Sequence, residues 1–311
     1  MDCVPYVFID SVIGSFVDLS HSDSILQISD LRWQNVFQDH SKNRTTFKIP
    51  MQSTEAGIKC IFSSQNRKRA LSLREVLSLD SKFVRISAVR LIAKTHLLMK
   101  TLKKSSSKAI LEFPFHYFIG QFLRADNVLH LSNDDIDCQR KVLIALHKQI
   151  YFSQLDLRHS GVSSEHFLID QLDNSAHLRS VDLRGSWKQS IIKNLLEFMK
   201  NNKHEVSVDI SSSDIRLDMS SLGKFVENWK SKGRKSVDLT AKTELTEEQI
   251  GQIVPWLSHG RFLFHQKEEK RAIEALTNVV SRTIHIMTFE CSCGGADDRQ
   301  RCHMSNFISE H

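Results

Sequence analysis

The nine residues Phe152 to Ser160, FSQLDLRHS, carry at their centre the word Leu155-Asp156-Leu157, and the same aliphatic-Asp-aliphatic word returns as Val181-Asp182-Leu183, Val208-Asp209-Ile210 and Val237-Asp238-Leu239. The intervals are 26, 27 and 29 residues. Self-similarity at such a period marks a stacked-repeat architecture, in which one supersecondary unit covers the next.

The neighbours of each word widen the pattern to apolar-x-x-apolar-x-apolar-x-x-polar: Phe152, Leu155, Leu157, Ser160; Leu178, Val181, Leu183, Ser186; then Val208, Ile210, Ser213. That frame resembles the leucine-rich repeat, with Ser where the family places Asn or Cys. Glu205 and Arg234 occupy the first apolar slot of the third and fourth copies and Lys242 the last polar slot of the fourth, so the repeats are irregular.

Between the words the period changes from two to that of a helix. Ile191, Ile192, Leu195, Leu196 and Met199 form one apolar face, Leu222, Phe225, Val226 and Trp229 a second, and Ile250, Ile253, Val254 and Leu257 a third, with Thr246 and Gln249 as a capping box. A strand followed by a returning helix predicts parallel strands with right-handed crossovers. Weaker words extend the series: Val84-Arg85-Ile86, Leu111-Glu112-Phe113 and Leu129-His130-Leu131 upstream, Phe262-Leu263-Phe264 and Ile284-His285-Ile286 downstream. Helical stretches fit between them at Val89 to Leu102 and at Ile136 to His147, the latter with Val142, Leu143 and Leu146 on one side. Asp134, Asp135 and Asp137, after Ser132, look like an acidic cluster but read better as charge at a helix amino terminus. The fold class expected is α/β, a leucine-rich-repeat-like solenoid of nine candidate strands arcing over about residues 80 to 290.

Residues 1–48 do not fit the repeat. Pro5, Phe8, Ile9, Val12, Ile13 and Phe16 stand at helical spacing, followed by Ile25, Ile28, Leu31, Trp33 and Val36. An early proline, an amphipathic first helix, a Ser/Asp-rich break at Ser20 to Ser24 and a later Trp resemble the F-box. The opening Val4 to Val12 and the Trp33 to Arg44 stretch are similar to nematode F-box-like proteins, with Val4-Pro5 in place of the usual Leu-Pro. The resemblance implies a helical module docking on a Skp-type adaptor of a cullin-type (SCF) ubiquitin ligase through Pro5, Phe8, Ile9, Val12, Leu31 and Trp33, ahead of repeats that hold a protein substrate. The division expected is therefore 1–48 F-box-like module, 49–290 irregular solenoid and 291–311 tail. A helical cap covering the first apolar face of the solenoid would show the same hydrophobic pattern.

In a strand of alternating faces the aliphatics of each word point into the core and the central residue points away. Asp156, Asp182, Asp209 and Asp238 are thus expected to line a concave face, where like charges on neighbouring strands repel. Arg158 and Arg184, two positions on, can neutralise the first two rungs; Ser211 and Thr240 cannot neutralise the others, so a basic partner segment is one reading of the acidic end.

The 311 residues are 41% hydrophobic and 25% charged, the balance of a globular protein, and no run reaches the roughly 18 apolar residues of a membrane helix. Met1 to Val17 does not read as a signal peptide, so the six Cys are expected as thiols in a cytoplasmic or nuclear protein. The net charge of +6 has a local source in Lys100, Lys103, Lys104 and Lys108, better explained as a solvated helix end than as a nucleic-acid patch. Cys291, Cys293, Cys302 and His303 could be assembled into a zinc site only with spacings that fit structural zinc poorly, so no metal or other cofactor is expected. No phosphate loop, nucleophile elbow or metalloprotease motif is present, and the sequence shows no catalytic constellation. The function expected is a non-enzymatic adaptor, the substrate-recognition subunit of a ubiquitin ligase. The alternative is a scaffold or inhibitor whose solenoid binds a protein partner with no ligase role.

Overall fold

The computed structural model describes residues 4–16, 27–28, 30–54, 57–64, 69–92, 118, 120–122, 127–132, 135–232, 236–258, 260–266 and 271–290. Its contacts divide the chain into two compact units, Met1–Gln171 and Leu172–His311.

The Asp words are strands, for the reason their alternation gives. In β5 (Gln154–Arg158), β6 (Ser180–Arg184) and β9 (Val237–Thr243) the aliphatics are buried and the residues between them half-buried. β7 (Val206–Asp209) follows the same pattern and ends just before Ile210, which is itself fully buried. Ser213 fills the polar slot of its repeat from inside: its Oγ donates to the Ile210 carbonyl at 2.7 Å and accepts from the Ile215 N–H. Ser160 is likewise buried, but Ser186 is exposed, so the second copy closes differently, through Gly185 at φ 84°.

The first unit begins with two helices, α1 (Tyr6–Ser15) and α2 (Leu31–Asn43). Its sheet runs β2-β1-β3-β4-β5, where β1 is Thr45–Thr54, β2 Gly57–Cys60, β3 Val84–Leu91 and β4 Val128–Leu131. β1–β3, β3–β4 and β4–β5 are parallel and β2 closes the edge antiparallel. Under this sheet Phe47, Phe62, Phe152 and Phe167 are fully buried, with edge-to-face contacts between Phe47 and Phe62 and between Phe122 and Phe152. The short α3 (Leu73–Leu77) is held by a capping box from Ser72 to Glu75. Helix α4 (Ile136–Leu146) buries Val142, Leu143 and Leu146 as expected, and Asp135 is its N-cap, accepting from the Cys138 N–H. The helix expected from Val89 is corrected at its start: Val89 to Leu91 complete β3, where the alternation that begins at Val84 shifts phase at an irregularity, so that Val89 and Leu91 are buried and Arg90 between them is exposed. Its remainder, the word Leu111 to Phe113 and the Lys100 to Lys108 stretch lie outside the described residues.

The chain divides within α5 (Val162–Asn174). In the second unit β6, β7 and β9 pair in parallel, joined by α6 (Ile191–Asn201) and α7 (Met219–Lys232), with the two-residue β8 (Arg216–Leu217) also beside β9. Both helices bury the faces read from the sequence, Ile191, Ile192, Leu195, Leu196 and Met199 on one and Leu222, Phe225, Val226 and Trp229 on the other.

After β9 the topology changes. The words at Phe262 and Ile284 were expected as further parallel copies; they belong instead to an antiparallel run β9-β13-β12-β11-β10, with β10 at Trp256–Ser258, β11 at Arg261–Gln266, β12 at Arg271–Asn278 and β13 at Thr283–Glu290. A parallel return needs a crossover of a dozen or more residues, and the links here are too short for a helix. The third expected helix shrinks to α8 (Glu247–Gly251): its capping box from Thr246 to Gln249 forms and Ile250 and Val254 are buried, but Pro255 ends the helical path and Leu257 lies on β10. Gly260, at φ 65°, makes the tight turn into β11, and a Cβ there would stand 3.1 Å from the Thr277 carbonyl. Both units are thus mixed α/β with open sheets, and among the described residues no helix is long and apolar enough to cross a membrane.

Candidate functional site

The two amino-terminal helices form the first candidate. Ile9 and Ile13 of α1 pack on Val36 and Phe37 of α2, with Val4, Phe16 and Trp33 closing the cluster. The helices lie side by side in the same direction. At the leading end Arg32 clamps its own N-cap Asp30, at 2.7 Å, and donates to the Val4 carbonyl. At the trailing end Arg44 donates to the carbonyls of Phe16, at 2.6 Å, and Ile13, at 2.7 Å. The Ile13 carbonyl also accepts from the Phe16 N–H, so Arg44 adds a second donor there and supplies one to the Phe16 carbonyl beyond the last turn of α1.

The same trailing end is tied to the sheet. Arg85 of β3 donates to the Gly14 carbonyl at 2.9 Å, Lys82 pairs with Asp39 at 3.3 Å, and His40 meets Phe83 edge to face. His40 is buried, with Nε2 3.0 Å from Asp10 and Nδ1 3.2 Å from the Arg44 guanidinium. Burial holds the His40 pKa below its ordinary value, and burial, reinforced by Arg85, pushes Arg44 down to about 10.

The leading end, by contrast, is open. Tyr6 (51%), Val7 (78%), Phe8 (54%) and Leu31 (68%) are large apolar residues left to solvent, and the Arg32–Val4 bond sets the start of α2 beside the first turn of α1. Of the six anchors read from the sequence, Pro5, Phe8 and Leu31 are exposed and Val12 is half-buried. Ile9 and Trp33 are corrected: both turn toward the helices' own cluster, since Ile9 shares the face of Ile13. Tyr6 and Val7 were missed: a helix that buries positions 9 and 13 must turn 7 and 8 elsewhere, whereas Tyr6 shares the face of Ile9 and Ile13 and is exposed in the first turn of α1.

The outer faces of the sheets form the second candidate, and here each aspartate has its own partner. In the second unit Asp182 takes Arg184 at 2.8 Å, as expected. Asp209 accepts from both the N–H and the hydroxyl of Ser211, at 2.8 and 2.7 Å. Asp238 bonds His285 Nε2 at 2.7 Å across the antiparallel β9–β13 pair. That bond raises the His285 pKa, and the charges of Asp238, Asp209 and Glu274 add to it. The rung thought to lack a counter-charge therefore has a titratable one, contributed by a strand whose direction the sequence misled on. Glu274, buried on β12, pairs with Arg261 of β11.

In the first unit the carboxylate of Asp156 meets His130, whose Nδ1 lies 2.5 Å from Asp156 Oδ2. The two residues are register partners on β4 and β5. On its other side His130 Nε2 lies 2.9 Å from Ser132 Oγ. This line of hydroxyl, imidazole and carboxylate was missed. The available signal was the repeat itself, because His130 stands 26 residues before Asp156, one period away and hence on the adjoining strand.

The Cys291 to His303 tail lies outside the described residues, and among those described no group of three His, Cys, Asp or Glu could hold a metal ion. No family model matches the chain, and no curated protein or solved structure matches it either.

Proposed function

We propose that the chain is a protein-interaction adaptor of the cytoplasm or nucleus, in which an F-box-like helical pair docks a Skp-type adaptor of a cullin-type ubiquitin ligase and leucine-rich-repeat-like strands hold a protein substrate. The observation that carries this reading is the open apolar end of the helical pair. Tyr6, Val7, Phe8 and Leu31 are each exposed at that end, while the opposite end is fastened by Arg85 of β3 and by Lys82 just before it. Apolar side chains gathered on a rigid helical platform suit burial in a partner's groove. The strand-helix alternation from β4 to β9 supports the repeat part of the reading.

The test is binding of the full chain to a purified Skp-type adaptor. Phe8→Asp with Leu31→Asp should weaken it by at least about 30-fold, the loss of one or two apolar anchors. A wild-type chain that does not bind, or a double variant that binds equally well, refutes the proposal. A second reading, a scaffold or inhibitor with no ligase role, is favoured by Ile9 and Trp33, which serve the chain's own core as residues of a cap would. It predicts that the double variant keeps every partner of the wild type.

A further inference from the structure

We propose that Ser132, His130 and Asp156 form a serine acyl-transfer site that hydrolyses small carboxylic esters bearing an anionic group. The three side chains stand in the order that nucleophilic catalysis needs, nucleophile to base to orienting carboxylate, each link within hydrogen-bond reach: Ser132 Oγ to His130 Nε2 at 2.9 Å, and His130 Nδ1 to Asp156 Oδ2 at 2.5 Å. The ring nitrogens are correctly divided. A neutral imidazole carries one N–H, the carboxylate claims it at Nδ1, and Nε2 is left as the acceptor for the serine hydroxyl.

The scaffold holds the arrangement. His130 and Ser132 are two residues apart at the end of β4, so they share a face, and Leu129 and Leu131, on either side of His130, are fully buried in the core. Asp156 sits on the adjoining strand in register with His130 and is 15% exposed, whereas His130 is 39% exposed, so an ester can reach the base while the carboxylate behind it stays screened. Arginines flank the line on both neighbouring strands. Arg90 of β3 is the register partner of His130 and is exposed, and Arg158 follows Leu157, the register partner of Leu131, which sets it beside Ser132. A cation beside the nucleophile stabilises the oxyanion of a tetrahedral intermediate, and the second attracts an anionic substrate.

In the reaction Ser132 Oγ adds to the ester carbonyl as its proton passes to His130 Nε2. The intermediate collapses, the alcohol leaves with that proton, and the acyl group stays on Ser132. Water, deprotonated by His130, then adds to the acyl-serine, and its proton returns to Ser132 Oγ as the carboxylic acid departs. Asp156 keeps its charge throughout and stabilises the imidazolium.

The test uses the full-length chain and two probes. A fluorophosphonate should label the wild type at Ser132, located by peptide mass spectrometry, and Ser132→Ala should remove that label. Hydrolysis of the p-nitrophenyl monoester of succinate should fall by at least about 100-fold in Ser132→Ala and in His130→Gln. Arg158→Met should reduce turnover of the succinate monoester more than that of p-nitrophenyl acetate. Ser132→Ala removes one oxygen at a half-buried site, and a melting curve superimposable on the wild type verifies its fold. A folded wild type with no adduct on Ser132, or equal ester turnover by wild type and Ser132→Ala, overturns the proposal. Neither result depends on whether a Skp-type adaptor binds.

Discussion

Replacing His40 with alanine tests how the helical pair is held to the first sheet. The imidazole is 1% exposed and has three neighbours: Asp10 on Nε2 at 3.0 Å, the Arg44 guanidinium on Nδ1 at 3.2 Å, and the ring of Phe83 at 5.3 Å between centroids. Because Arg44 donates to Nδ1, the proton of the neutral ring is on Nε2 and goes to Asp10. Hydrogen bonds to charged groups contribute about 1.5–3 kcal/mol each, but here the loss falls at the low end. Arg44 keeps the Phe16 and Ile13 carbonyls, and Asp10 keeps Lys82 at 3.9 Å. Adding about 0.5–1.5 kcal/mol for the ring contact, His40→Ala should cost about 2–4 kcal/mol. At a urea dependence of about 2 kcal/mol per molar, the midpoint of the first unit, followed by Trp33 fluorescence, should fall by about 1–2 M. The pH dependence is a second readout. Burial depresses the folded pKa of His40, so its contribution to stability is present above the ordinary value of 6.5 and is lost as pH falls through the depressed value. A protonated ring would also turn an N–H toward Arg44. In His40→Ala this loss should vanish, giving a flatter profile below pH 6.5. A midpoint shift under about 0.3 M, with an unchanged pH profile, would refute this account of the helix anchorage.

Burial pushes the thiols of Cys60 and Cys138 up to about 12, so both should escape a short pulse of N-ethylmaleimide at pH 8 in the folded protein and react fully in urea, as read by peptide mass spectrometry. Leu195→Ala empties the middle of the buried face of α6 and should cost about 2–5 kcal/mol in the second unit, measured by urea denaturation; a cost under about 1 kcal/mol would mean that this face is not packed as described. The raised pKa of His285 means that its share of stability is fully present below 6.5 and disappears as pH rises through the folded value. Asp238→Asn should move the His285 titration, followed by NMR, toward lower pH, and an unmoved titration would deny the Asp238 bond its role.

What the sequence made legible was whatever depends on one segment at a time. Val181 and Leu183 are buried because strand alternation sends them inward, and Leu195 and Leu196 because a helical stripe must be covered; neither needs knowledge of a neighbour. What failed needed the pairing of segments. Ile284-His285-Ile286 has the same local pattern as the true repeat words, yet β13 runs antiparallel to β9, and only the brevity of the links to β12 and β11 separates the two outcomes. At the amino terminus Phe8 and Ile9 are adjacent and similarly apolar. One helix can bury only one of them on α2, and spacing to Ile13 selects Ile9.

The aspartates follow the same logic one level higher. Four carboxylates at one repeat position look like a charged ladder, which like-charge repulsion would disfavour. In the second unit Asp182 and Asp209 do stand side by side as register partners, and each of the four carboxylates has its own offset: an imidazole on the preceding strand for Asp156, an arginine two residues on for Asp182, a serine hydroxyl with its backbone N–H for Asp209, and an imidazole from an antiparallel strand for Asp238. The repeat therefore fixes where a carboxylate stands without fixing what it does, and that freedom leaves room for Asp156 to orient an imidazole toward Ser132 while Asp209, at the equivalent position, takes the N–H and hydroxyl of Ser211.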